Sequence, residues 1–283
     1  MGQTGVRVSR QPAQRLPRVY RRRAMVAVML FGAVALASGY AGRESGGVVT
    51  KQLDIRGFDR VSVPGSWDVE VAEGPFAVSV TVDSHLEDDL RVERRGDALV
   101  FRLRAGLRLR RVRTLQASVT MPALSGAEVS GSGSIRFAGF GRREQRGLQF
   151  SVSGSGHIHG SGCSGRDFHA RVSGSGTVEL GDCAMQTADV VVTGSGDVVL
   201  SGGRACRARD LALSISGSGT ARLDGCVFEN AEVSLSGSGD AVLALGGGNL
   251  TGSLSGSGSL DYRGNPRVMD VRTSGSGSVR KSG

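Results

Sequence analysis

The chain has 283 residues, 39% apolar and 5% aromatic, with 45 glycines against 6 prolines. This is enough apolar content for a core, and glycine so far above the ordinary ~7% without matching proline excludes collagen and calls for a repeat that fixes glycine in place. The formal charge of +9 sits mostly in the first 41 residues, which hold seven arginines and no acid; without them it is +2, which excludes a nucleic-acid binder, a class that needs a basic footprint on the folded domain.

Residues 1–41 have the pattern of a secretory signal peptide. Arg21, Arg22 and Arg23 precede an unbroken fourteen-residue apolar run from Ala24 to Ala37, and Ala35-Leu36-Ala37 supplies a small-residue exit, with an alternative near Gly39 to Ala41. The run is too short to span a bilayer. An uncleaved leader acting as an anchor is the other reading, and the only one that makes the membrane a partner. Arg22-Arg23-Ala24-Met25-Val26 is loosely similar to a twin-arginine signal. Tyr40 stands where a lipoprotein would need cysteine. The expected destination is the periplasm or cell surface, and not as a lipoprotein.

Residues 42–125 carry β signatures without a strict repeat, as in Val61-Ser62-Val63, Val69-Glu70-Val71, Val78 to Val82, Leu99 to Leu103 and Ala117 to Thr120. Pro64-Gly65 and Glu73-Gly74-Pro75 punctuate them. They are expected to form less regular β coils that cap a more regular C-terminal solenoid. Within them, a basic stripe from Arg91 to Arg113 alternates with apolar residues, as in Phe101-Arg102-Leu103-Arg104 and Leu107-Arg108-Leu109-Arg110. On a strand the arginines share one face. They read as solvated charges that discourage edge pairing, in preference to contacts with anionic envelope polymers.

In residues 126–283 a Ser/Thr-Gly-Ser-Gly motif recurs eight times, at Ser130, Ser153, Ser173, Thr193, Ser216, Ser236, Ser255 and Ser274, with spacings of 23, 20, 20, 23, 20, 19 and 19. Ala188, Val190, Val192, Gly194, Gly196, Val198 and Leu200 are alternate residues of one unit, and all are apolar or glycine. This period of two means β-strand, and carried through the motif it places both glycines on the buried face and both hydroxyls outside. A unit of about 20 residues cannot bury its face alone, so units must stack. The expected fold is all-β, a parallel β-helix (solenoid) with SGSG rungs, eight of which make a rod roughly 35 Å long. Ser132, Ser155, Ser175, Ser195, Ser218, Ser238, Ser257 and Ser276 then form one hydroxyl ladder. The preceding Ser or Thr forms a second, and hydroxyls on adjacent rungs can pair.

Cys163, Cys183, Cys206 and Cys226 follow the same frame, at spacings of 20, 23 and 20. Two readings stand. Either Cys163 pairs with Cys183 and Cys206 with Cys226 in an oxidising compartment, or the four form an inward ladder of free thiols, because in-register Cβ vectors run parallel.

No catalytic constellation or cofactor site accompanies the repeat. The motif lacks the Lys-Ser/Thr and helix of a phosphate loop and the βα turn of a dinucleotide site, and no histidine recurs beside it to activate a serine. The outward row after the motif, Ser134, His157, Thr177, Asp197, Thr220, Asp240, Ser259 and Ser278, has no adjacent carboxylates. His157, His159 and Glu179 are the one weak metal candidate.

Gly57-Phe58-Asp59-Arg60-Val61-Ser62-Val63, then Trp67 to Val71 and Gly74, then Val119-Thr120-Met121-Pro122-Ala123-Leu124, then tandem SGSG units, resemble in that order the bacterial head GIN domain family of autotransporter-adhesin type. The resemblance covers about residues 53–280. It implies an exported envelope protein, a right-handed β-helical fold, adhesion and no catalytic residues. The missing lipoprotein cysteine and the cysteine ladder depart from many relatives.

The expected function is that of an envelope or cell-surface interaction or scaffold protein, with envelope polysaccharide or another surface protein as partner and flat ladder faces as binding surface. The alternatives are a polysaccharide-active β-helix enzyme, an ice-binding solenoid, or a purely structural or self-associating one. Self-association is suggested by the little sequence after Gly277 to cap a final rung.

Overall fold

A computed structural model describes residues 47–104, 112–202 and 206–282. The leader and the Leu107–Arg110 part of the arginine stripe lie outside the described residues. The remainder is a β-solenoid of about eight turns.

Alternation produces the strands, and the strands stack in two parallel columns. Thr187–Gly194 shows the pattern, with Ala188, Val190 and Val192 buried and their neighbours outward. The first column begins with Arg60–Gly65 beside Gly126–Gly131. It continues in register through residues 147–154, 167–174, 187–194, 210–217, 231–237, 249–256 and 268–275. The second begins with Asp68–Glu73 beside residues 134–138. It continues through 157–161, 177–181, 197–201, 220–222, 240–244, 259–263 and 278–281. The core lies between the columns, where each fully buried Val, Leu, Ile or Phe contributes roughly 1.5–3 kcal/mol.

Each motif is the corner between the columns, and this corrects the parity expected through it. The first glycine ends the first-column strand with φ between 109° and 137°, a region closed to most side chains. That turn breaks the alternation. The first glycine is therefore partly or fully exposed, and only the second is buried, in every motif but the last. A Cβ on the second would meet the carbonyl one rung earlier, at 2.6 Å for Gly156 over Gly133 and 2.5 Å for Gly176 over Gly156. Backbone bonds repeat the close approach: Ser155 N–H donates to Gly131 O and His157 N–H to Gly133 O, both at 3.0 Å.

Pro64-Gly65-Ser66-Trp67 is a further corner, ahead of the eight motif corners. Gly65 has φ 107° and pairs with Gly131, while Ser132 N–H donates to Gly65 O at 3.0 Å and Ser134 N–H to Trp67 O at 2.7 Å. Here the second glycine is replaced by tryptophan, fully buried and packed against Phe101 of the neighbouring rung at a centroid distance of 5.7 Å.

The N-terminal region differs from a simple run of irregular coils. Ala98–Leu103 and Leu115–Met121 extend the two columns with one more parallel rung, but on the outer side of the Arg60–Gly65 and Asp68–Glu73 rung that precedes them in sequence. Antiparallel strands then close both columns: Leu90–Arg95 on the first, and Ala77–Asp83 followed by Val48–Leu53 on the second. Arg91 and Arg95 are exposed on Leu90–Arg95, the outermost strand of its column among the described residues. Charges there discourage edge pairing.

Large and small residues interlock between rungs. Phe137 and Phe150 stack at 5.3 Å, and Gly160 leaves the space that the Phe137 ring occupies. At the corner opposite the motif, Cys163 is bonded to Cys183 and Cys206 to Cys226, with Cα separations of 4.6 and 4.7 Å. The ladder is broken at this corner: Cys183 lies outside any strand and Asp182 beside it has φ 52°. The Cβ vectors are thus free to converge, as they could not in the regular ladder.

Candidate functional site

The alternation that buries the apolar residues leaves two flat outer faces and two ridges of corners. Both hydroxyl rows stand on the motif ridge, and all sixteen of their Ser and Thr residues, including Ser132, Ser155, Ser175, Ser195, Ser218, Ser238, Ser257 and Ser276, are exposed. Among the described residues no hydroxyl of either row bonds to the next along the row, so the expected pairing is absent. The backbone accounts for this: amides and carbonyls hold the rungs together, which leaves the hydroxyls to solvent or a partner.

The second-column face carries His157 and His159. His157 lies between Ser134 and Thr177, and His159 between Arg136 and Glu179. His159 Nδ1 is 3.3 Å from Glu179 Oε2, with both side chains about half exposed. The structure joins these two, whereas His157 makes no ion pair among the described residues. Among the described residues no group of three or more His, Cys, Asp or Glu is placed to hold a metal ion. Elsewhere on this face Ser134 Oγ donates to Asp68 Oδ1 at 2.6 Å and Ser259 Oγ to Asp240 Oδ1 at 2.6 Å.

The first-column face carries contacts that the sequence reasoning passed over. His169 Nδ1 is 3.4 Å from Asp189 Oδ2, a pair produced by the same twenty-residue offset that stacks Glu179 on His159, but located before the motif instead of after it. At the start of these strands Thr187 Oγ1 donates to Asp167 Oδ1 at 3.0 Å, and Asn230 Nδ2 to Asp210 Oδ1 at 3.0 Å. The bond from Arg209 holds the Asp210 carboxyl below its ordinary range, helped by Asn230. The concavities on this face are shallow grooves over these polar rows. Gln149, His169, Arg171 and Asp189 line one, and Asp189, Asp210, Asn230 and Glu232 another.

Such faces offer many equivalent hydrogen-bonding positions in place of one enclosed pocket, and likeness to known proteins agrees with that architecture. A crystal structure of a "putative lipid binding protein" from Parabacteroides distasonis superposes with a TM-score of 0.73 at 22% identity, covering 83% of this chain and 97% of that one. A "putative adhesin" from Parabacteroides merdae gives 0.73 at 18% identity, covering 83% and 96%. Another from P. distasonis gives 0.71 at 20%, covering 84% and 98%. At these identities the likeness is one of fold. No curated protein matches the chain in sequence. The family described as "Putative auto-transporter adhesin, head GIN domain" matches residues 57–266 and again 211–283, and the chain belongs to that family.

Proposed function

We propose that the chain is an exported cell-envelope interaction protein of adhesin type, which holds extended polymers or partner surfaces against its ladder faces and performs no chemistry on them. One observation carries this reading: among the described residues the outward positions are polar on most rungs, and the Ser or Thr of both motif rows is exposed on every one, while most large apolar residues point inward and Val48, Val268 and Met269 are the exposed ones. A row of equivalent weak contacts favours a long, repeating ligand, because each contact raises the effective concentration for the next. Export rests on the basic and apolar pattern of residues 1–41 and on the family's adhesin description.

The test is an array of envelope polysaccharides, their short oligomers and isolated envelope proteins, probed with the chain in oxidised form. Retention of a polymer or surface protein, with polymer affinity rising steeply with chain length, is the expected outcome. A short oligomer bound as tightly as its polymer, turnover of any polymer, or no retention at all would overturn the reading.

A further inference from the structure

The two 23-residue spacings, anomalies in a repeat of 19 or 20, have one structural cause. Between residues 134–140 and 157–163 the strands pair at an offset of 23, but from Gln145 and Gly165 onward the offset is 20. Three extra residues therefore lie between Phe140 and Gln145. In the later long rung the offset changes from 20 at Gly181 and Ser201 to 23 at Thr187 and Asp210. Both insertions fall at the corner opposite the motif, so neither disturbs the columns. A rung tolerates added residues there because that corner makes no continuous ladder.

The first insertion is basic. It contains Arg142 and Arg143, Arg146 comes directly after it, and Arg166 occupies the same corner one rung later; all four are exposed. Among the described residues none of the four forms an ion pair. The acids closest in sequence are engaged elsewhere: Glu144 Oε1 accepts from Gln186 Nε2 at 3.2 Å, and Asp167 Oδ1 from Thr187 Oγ1. A chain of formal charge +2 beyond residue 41 thus concentrates four guanidinium groups without ion pairs on two adjacent rungs, an excess of two positive charges over Glu144 and Asp167 beside them. Guanidinium pairs with carboxylate or phosphate through two parallel N–H donors, and rungs about 4.8 Å apart repeat that donor along the axis.

We infer that this corner binds an acidic polysaccharide, with Arg142, Arg143, Arg146 and Arg166 pairing with anionic groups on successive sugars. The inference rests on the proposed function and specifies the chemistry of its polymer. Phe140, the aromatic residue of this corner, is buried, so no ring is offered for base stacking, which argues for a glycan over a single-stranded nucleic acid. Gln149 and Ser151 on the adjoining face supply donors and acceptors for sugar hydroxyls.

The experiment titrates the oxidised chain with polygalacturonate, neutral dextran and single-stranded DNA at low and high salt. Polygalacturonate is expected to bind in preference to both others, with affinity falling as salt rises. The triple variant Arg142→Ser, Arg143→Ser, Arg146→Ser is expected to weaken it by about tenfold or more. The equally charged change Arg56→Ser, Arg104→Ser, Arg267→Ser, at exposed positions outside the strands of the ladder faces, is expected to leave binding within about twofold. Equal losses from the two triple variants, or DNA binding as tight as polygalacturonate, would overturn the inference. Preference for dextran would overturn it and leave polymer binding standing, whereas no binding to any polymer would remove both.

Discussion

The corner geometry makes a graded prediction across three glycines. Gly65 has φ 107°, but a Cβ there meets nothing within 4 Å. Gly176 lacks the positive φ, yet its Cβ would meet Val152 Cγ1 and, at 2.5 Å, Gly156 O. Gly174 combines both, with φ 111° and Gly154 O at 2.6 Å. The carbonyl over Gly176 cannot step aside cheaply, because Gly156 O accepts the Thr177 N–H at 3.0 Å. Conformational strain alone should cost Gly65→Ala about 1–2 kcal/mol. Overpacking should cost Gly176→Ala about 2–3 kcal/mol. Gly174→Ala should lose about 3–5 kcal/mol from both together. Each figure is reduced by up to about 1 kcal/mol through the lower entropy of the unfolded alanine chain. Urea unfolding at constant m-value measures the three differences. If Gly176→Ala cost under about 0.5 kcal/mol, or Gly65→Ala equalled Gly174→Ala, close rung-to-rung approach would not be the reason for the motif's glycines.

The disulfides and a buried carboxylate give two further tests. Each disulfide closes a segment with a sequence separation of 20, so reducing either should cost about 3 kcal/mol, and the denaturant midpoint with and without reductant should show both losses. An unchanged midpoint would mean that the rungs hold without these bonds. Asp83 Oδ2 accepts the Arg113 N–H at 2.7 Å, and that bond, foremost among its causes, holds the carboxyl below its ordinary value of 3.8. A lowered folded-state value stabilises the protein above the unfolded value and ceases to do so as pH falls through the folded one. Asp83→Asn should therefore be less stable than the parent at neutral pH, with the gap closing below about pH 3.8. A gap independent of pH would place the effect in packing instead of charge.

Period two and a recurrent twenty-residue spacing are local properties, and they were enough to specify the solenoid. Val190, Val192, Val198 and Leu200 alternate because one sheet face is buried, and the cysteine spacings matched that frame because neighbouring rungs must stack. Chain order alone could not show that the rung of Ala98–Leu103 and Leu115–Met121 lies outside the one that precedes it, since either edge of that rung could accept a parallel strand. Nor could parity show that the motif is a corner, because a positive φ at one glycine exchanges buried for exposed without altering the composition. For the site, the stacking of Glu179 on His159 was legible in the period, whereas the unpaired arginines were not. Their isolation depends on which acids the folded chain has already engaged. The sequence by itself therefore determined the repeat, the fold class and the rows of residues that stack. Only the tertiary structure decided how the rows are closed, where the extra residues go and which charges remain free, because those outcomes depend on contacts between segments far apart in the chain.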